Sequence, residues 1–125
     1  MEARITAAMA LAALDTNTAT LTIAVLREAM LNGDPRNRHW AAVYFSQIDA
    51  DSLETLPVFV GSLTNRERNL RISAAYSLLR FGPKAKAAVP ALVEMRNDSD
   101  TEVQQAVRAA LRSIDPEAAS KVGVK

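Results

Sequence analysis

A period of 33 residues runs through most of the chain and constrains its fold more than any other feature. Phe45, Leu78 and Leu111 form one series in which each member lies 33 positions after the last. Other series with the same spacing are Leu26, Phe59 and Leu92; Ala41 and Ala74; Pro57 and Pro90; Asp34, Glu67 and Asp100. A period between about 20 and 50 residues is typical of repeat proteins, in which each repeat is one supersecondary unit stacked on the next.

Each repeat has the pattern of two helices joined by a polar turn. Apolar residues spaced by three and four predict first helices over Ala19–Leu31, Ser52–Leu63 and Lys84–Arg96, and second helices over Arg36–Ile48, Asn69–Phe81 and Glu102–Ile114. We therefore predict a single domain, 1–125, with repeats over 19–49, 52–82 and 84–115. A partial repeat over 1–15 precedes them and a short C-terminal tail over 116–125 follows.

The turns inside the repeats are rich in residues that begin helices. Asp34, Glu67 and Asp100 precede the second helices, where an acidic residue can cap the helix and complement its dipole. We also expect Arg38 and Arg71 to form a ladder of ion pairs with Asp34 and Glu67 along these turns. Gly82-Pro83 and Asp115-Pro116 are typical of helix ends.

Net charge, cysteine content and hydropathy limit the classes of function that the sequence supports. The net charge of the chain is +1, so attraction to nucleic acid or to an anionic membrane is not expected. Cysteine is absent, which fits a cytoplasmic protein and excludes disulfides and cysteine-based metal sites. No apolar run approaches the ~20 residues of a membrane span, so no membrane partner is expected.

One stretch resembles a known family. Leu70 to Gly82, Leu-Arg-Ile-Ser-Ala-Ala-Tyr-Ser-Leu-Leu-Arg-Phe-Gly, is similar to the second-helix signature of short HEAT-like repeats of the bilin-lyase type. The resemblance implies an all-α chain, a right-handed α-solenoid (a HEAT-like superhelix) of about seven helices whose hairpins repeat every 33 residues. Gln104 and Arg108 depart from the family pattern, which has Arg and Ala there.

The chain offers little for catalysis. His39 is the only histidine, so a metal site with several strong ligands is not expected, nor is a nucleophilic triad. The four glycines form no phosphate-binding loop. We therefore expect no catalytic residue, no metal and no cofactor, and a shared repeat does not carry the lyase reaction to this chain.

The resemblance implies that second helices form a concave wall, and helical phase identifies the residues exposed on it. If positions equivalent to 74, 75, 78 and 81 are buried, the wall consists of Met9, His39, Trp40, Val43, Gln47, Ile72, Tyr76, Arg80 and Gln105. Aromatic and arginine side chains anchor many interfaces. The expected function is thus a non-catalytic scaffold that binds a protein or peptide on this wall.

Two alternatives and one further contact remain open. A nucleic-acid-binding module, similar to HEAT-like DNA glycosylases, would use Arg38, Arg71, Arg80, Arg108 and Arg112. The chain could also be an accessory domain of a larger enzyme. Because no dedicated capping repeat is present at the ends, self-association through Met1–Leu31 or membership of a longer solenoid is a further expectation.

Overall fold

Helix is the only regular secondary structure in the part of the chain that the structure describes. The computed structural model describes residues 16–124. The α-helices are α1 Thr16–Asn32, α2 Pro35–Ile48, α3 Leu56–Ser62, α4 Arg68–Phe81, α5 Val89–Met95, α6 Thr101–Ile114 and α7 Pro116–Lys121. Two 3₁₀ segments, Leu53–Thr55 and Gly82–Ala88, precede α3 and α5. The prediction of an all-α chain is confirmed for these residues, and the predicted partial repeat over 1–15 lies outside them.

The second helices of the repeats have the predicted bounds to within one residue. Each of α2, α4 and α6 begins one position earlier than predicted and ends where predicted. Asp34 caps α2, accepting a hydrogen bond from the Asn37 amide at 2.9 Å, and Asp100 caps α6, accepting one from the Val103 amide at 3.1 Å. Glu67 occupies the same position before α4 but makes no side-chain cap bond.

The first helices of the second and third repeats are not continuous, contrary to the prediction. In each, a 3₁₀ segment leads into a short α-helix whose second residue is proline, Pro57 in α3 and Pro90 in α5. Proline has no N–H to donate to the preceding turn, but it is tolerated in the first turn of a helix. The α-helix therefore starts just before each proline, and the residues ahead of it turn more tightly.

The predicted C-terminal tail contains the short helix α7. Asp115 accepts a hydrogen bond from the Ala118 amide at 3.0 Å and caps α7, with Pro116 at the first helical position. The Asp-Pro pair that was predicted to end one helix therefore also begins the next.

The chain divides into two compact units, Met1–Val58 (unit 1) and Phe59–Lys125 (unit 2). In unit 1, α1 packs against α2. Leu26 and Phe45 are buried there, and the Arg27 guanidinium lies 5.6 Å from the centre of the Phe45 ring. Arg27 also forms a two-pronged ion pair with Glu54, with both N–O distances 2.9 Å.

In unit 2, α4 packs mainly against α6, and α6 also contacts α5 and α7. Leu78 on α4 and Leu111 on α6, the 33-residue equivalents of Phe45, are completely buried. So is Leu92 on α5, the equivalent of Leu26. Equivalent positions of the period thus have equivalent burial in both units.

The turns before α4 and α6 are each closed by one polar side chain at the same position of the repeat. Arg71 Nη1 donates to the carbonyl oxygens of Asn65 and Arg66 at 2.8 and 2.9 Å. Gln104, 33 positions later, donates to the carbonyl of Asp98, the equivalent of Asn65, at 2.5 Å. The departure from the family pattern at Gln104 therefore keeps the turn-closing bond.

The partners predicted for Arg38 and Arg71 in the ion-pair ladder are wrong. Arg71 Nε lies 3.4 Å from Asp98 Oδ2, in the following turn, rather than beside Glu67. Asp34 uses its carboxylate to cap α2. Helix ends leave backbone amides and carbonyls without partners, and the Asp34 carboxylate and Arg71 Nη1 bond to such groups.

Candidate functional site

The exposed side of α4 carries three of the predicted wall residues in one line. Ile72, Tyr76 and Arg80 are spaced by four and therefore lie above one another along the helix. Tyr76 is 47% exposed, Arg80 is exposed and Ile72 is half-buried. The opposite side of α4, through Leu78, is fully buried. Helical phase thus predicted the exposure of Tyr76 and Arg80 correctly, whereas Ile72 is only partly exposed.

Next to this line, the side chains at the equivalent positions of α6 protrude less. Gln105, Ala109 and Ser113 are the 33-residue equivalents of Ile72, Tyr76 and Arg80, and Gln105 is exposed as predicted. The Ser113 hydroxyl donates to the carbonyl of Leu79 at 3.0 Å, which fixes the end of α6 against the end of α4. These six residues are called the α4–α6 face below. Its larger side chains are on α4 and its smaller ones on α6.

The four wall residues predicted on α2, in unit 1, are only partly exposed. Gln47 is exposed, whereas Trp40 and Val43 are half-buried. The predicted exposure of His39 is wrong, because none of its surface is accessible. His39 is three residues before the buried Ala42 and so borders the buried stripe of α2, which widens to include it.

The burial of His39 changes its chemistry. Its ring meets the Trp40 ring edge-on, with centroids 5.0 Å apart and planes at 83°. Burial lowers the pKa of His39 to about 4, because the interior disfavours the charged imidazolium. The imidazole is therefore neutral near pH 7 and inside the protein, where it has no access to a partner at the surface.

The arginines of unit 2 divide into engaged and free side chains. Arg68 forms ion pairs with Asp100 at 2.7 Å and with Glu102 at 3.3 Å, and Arg68 holds the pKa of Asp100 down, to about 2. Arg71 closes a turn, as described above. Arg108 donates to the Arg96 carbonyl at 3.2 Å.

Arg80, by contrast, is exposed and makes no hydrogen bond or ion pair within the described part of the chain. Of the five arginines predicted for nucleic-acid binding, Arg71 and Arg108 are bonded to turn carbonyls, and Arg112 also has an interaction partner.

Neither a metal cluster nor a membrane segment is found among the described residues. No three His, Asp or Glu side chains of residues 16–124 lie together in a way that could hold a metal ion. Over the same residues, no helix combines the length and the apolar character needed to cross a bilayer. Met9, the remaining predicted wall residue, lies outside the described residues.

Three exposed leucines in unit 1 were missed by the sequence prediction. Leu21 and Leu31 on α1 are 68% and 78% exposed, and Leu53 is 52% exposed. Their equivalents in the later repeats are mostly polar, for example Thr64 and Asn97 for Leu31. Comparison of equivalent positions across the repeats would have identified them, because an apolar residue is unusual where other repeats are polar.

Comparison with family models finds no matching family, and comparison with curated proteins finds no significant relative. The likeness to HEAT-like repeats consequently rests on the residues of this chain alone.

Proposed function

We propose that the chain is a non-catalytic scaffold of HEAT-like repeats that binds a protein or peptide on the exposed side of its second helices. In this proposal the hairpins stack as a right-handed solenoid and the second helices form its concave wall. Two features support the stacking: burial that recurs at the 33-residue period, and a turn closed in the same way by Arg71 and Gln104. Stacked repeats present extended surfaces that suit extended partners.

The exposure of Tyr76 is the observation that carries the proposal. Tyr76 stands on a helix whose other side is completely buried, so its position is fixed while the residue remains 47% exposed. A rigid aromatic side chain loses little conformational entropy on binding, which is why tyrosine is common in binding surfaces. The side chain beside it is an exposed arginine, Arg80, another residue type enriched at binding hot spots.

The engaged arginines favour a protein partner over a nucleic acid. Nucleic-acid binding depends on several cations that neutralise phosphates. Arg71 and Arg108 are already bonded to turn carbonyls, and Arg68 to two carboxylates. The surface left on α4 combines one free cation with apolar area, which suits a peptide better than a phosphate backbone.

The proposal is tested by partner capture with matched variants. The wild-type protein, Tyr76→Ala and Leu53→Ala are each used as bait in lysate of the source cells. Leu53 is also an exposed apolar residue, but it lies outside the α4–α6 face. We expect one set of partners to bind the wild type and Leu53→Ala and to be lost from Tyr76→Ala. Partners retained by all three baits would contradict a role for this face.

A further inference from the structure

Arg80 differs from the other two arginines of α4. Arg68 is neutralised by Asp100 and Glu102, and Arg71 by Asp98 and two carbonyl oxygens. Arg80 has no such neighbour within the described part of the chain and stands exposed in the last turn of the helix. Among the three arginines of α4, the two near its start therefore have partners, and Arg80 near its end has none within the described residues.

The unsatisfied cation is next to apolar surface. Tyr76 precedes Arg80 by one helical turn, and Ile72 precedes Tyr76 by another. On the α6 side, Ala109 and Ser113 are too small to cover Tyr76 or Arg80, and the Ser113 hydroxyl is already bonded to Leu79. The α4–α6 face thus has an apolar part and a cationic part in a fixed order along one helix.

We propose that this face binds a peptide segment that places an apolar side chain on Ile72 and Tyr76 and a carboxylate on Arg80. The inference rests on the proposed function and adds the chemistry of the partner. An arginine fork binds a carboxylate with two parallel hydrogen bonds, and a neutral or basic residue at that place would leave the guanidinium without a partner. Charge complementarity selects the acidic peptide.

The geometry of α4 sets the spacing of the two groups. Four residues of helix rise about 6 Å, so the Cα atoms of Tyr76 and Arg80 are separated by roughly that distance along the axis. An extended peptide covers about 3.3 Å per residue. The bound segment should therefore have Asp or Glu about two residues from its apolar anchor, or about four residues from it if the segment is helical.

The experiment is a selection of phage-displayed random peptides against four forms of the full chain. The forms are wild type, Tyr76→Ala, Arg80→Glu and the control Arg66→Glu. Arg66 is also an exposed arginine of unit 2 without a side-chain partner in the described chain, but it lies at the opposite end of α4. All three side chains are exposed, and circular dichroism confirms that each variant is folded before selection.

We expect wild type and Arg66→Glu to enrich peptides with an apolar residue and an acidic residue at the spacing above. Arg80→Glu should enrich Lys or Arg in place of the acid. A fluorescein-labelled peptide selected on wild type should bind Arg80→Glu about tenfold more weakly or worse in an anisotropy titration, since hydrogen bonds to charged groups are among the strong ones.

The other outcomes separate the inference from the proposed function. Selected peptides without an acidic preference that bind Arg80→Glu normally but lose binding to Tyr76→Ala would overturn the inference and leave the scaffold intact. Failure to enrich any peptide, or equal binding to all four forms, would overturn both. Competition by labelled single-stranded DNA that depends on Arg80 and weakens steeply with salt would replace the peptide by a nucleic acid.

Discussion

His39 lies wholly inside unit 1, with its ring against the edge of Trp40. A histidine at the surface would change its charge near pH 6.5, but burial lowers the pKa of this one to about 4. Between these two pH values the unfolded chain therefore binds a proton at His39 and the folded protein does not. Because His39 is the only histidine in the sequence, this difference can be measured without interference from another imidazole.

We expect the free energy of unfolding to fall as the pH is lowered from about 6.5 to about 4. In that window the unfolded chain is protonated at His39 and the folded protein is not, so the unfolded state binds more protons and gains stability. The contribution is fully present above pH 6.5 and is lost at pH 4. Its size is on the order of 3 kcal/mol, since one pKa unit corresponds to about 1.4 kcal/mol.

Urea titrations at several pH values measure this loss, with His39→Asn as the control. Asparagine is polar but does not titrate, so the variant should be less stable throughout while showing a shallower dependence on pH in the window. Asp and Glu side chains contribute equally to both proteins. The same slope for wild type and variant would mean that His39 is not protected from protons by the fold.

Leu78 tests the register of the repeat at a single side chain. It is completely buried in unit 2, at the position equivalent to Phe45 and Leu111. Leu78→Ala removes buried methyl groups and leaves a cavity, and we expect a loss of ~2–5 kcal/mol. Leu53→Ala, at a leucine that is 52% exposed, should change stability by no more than about 0.5 kcal/mol. Equal effects in chemical denaturation would contradict the buried position of Leu78.

Among the elements, the second helices were predictable because several signals coincide there. The apolar spacing, an acidic residue or cap ahead of the helix and a break behind it all define α2, α4 and α6. The first helices of the later repeats have the spacing but also a proline inside the predicted span, Pro57 or Pro90. The pattern of apolar residues does not distinguish a continuous helix from a 3₁₀ segment followed by a short helix, and there the prediction was wrong.

For the candidate site, the sequence predicted which residues of α4 are exposed, but neither the edge of the buried stripe nor the ion-pair partners. Helical phase gives the side of a helix, so the exposure of Tyr76 and Arg80 followed from the sequence. It does not give the width of the buried stripe, which depends on the elements that pack at its edges. His39 stands at such an edge and was predicted on the wrong side of it. Ion-pair partners such as Asp98 for Arg71 are equally inaccessible, because they depend on side-chain reach between turns.

Comparison of the turns before α4 and α6 indicates which kind of side chain position 71 requires. Arg71 closes its turn through two carbonyl oxygens, and Gln104 closes the equivalent turn through one. Arg71→Leu should cost ~1–3 kcal/mol, because it leaves polar groups of a half-buried turn without partners. Arg71→Gln should cost clearly less, since an amide reaches the same carbonyl in the next repeat. Thermal or urea unfolding of both variants measures the difference.

Arg66→Gln is the control for this pair. Arg66 belongs to the same turn, but its side chain is exposed and makes no bond within the described residues, so the substitution should be close to neutral. If Arg71→Gln is as destabilising as Arg71→Leu, the charge opposite Asp98 is the important feature of Arg71 and closure of the turn is secondary.

At the scale of the whole molecule, the division into two compact units predicts that stability is distributed unevenly along the chain. In unit 2, α4 and α6 share their main packing surface, and in unit 1 the same holds for α1 and α2. In an array of stacked repeats, stability is close to a sum of repeat terms and nearest-neighbour terms, so a local defect is felt most by the repeats that contact it. The proposed solenoid therefore predicts an uneven response to a buried substitution.

Leu111→Ala tests this response by amide hydrogen exchange followed by mass spectrometry. Leu111 is completely buried on α6, so its truncation should lower the protection of α6 and of α4, which packs on it, by about tenfold or more. Helices α1 and α2 should keep most of their protection. Leu26→Ala, a buried position of unit 1, should give the opposite pattern, and Leu31→Ala, at a leucine that is 78% exposed, should change neither. If Leu111→Ala lowers protection by the same factor in every described helix, the chain unfolds as one cooperative body, and neighbour-by-neighbour stacking does not describe its energetics.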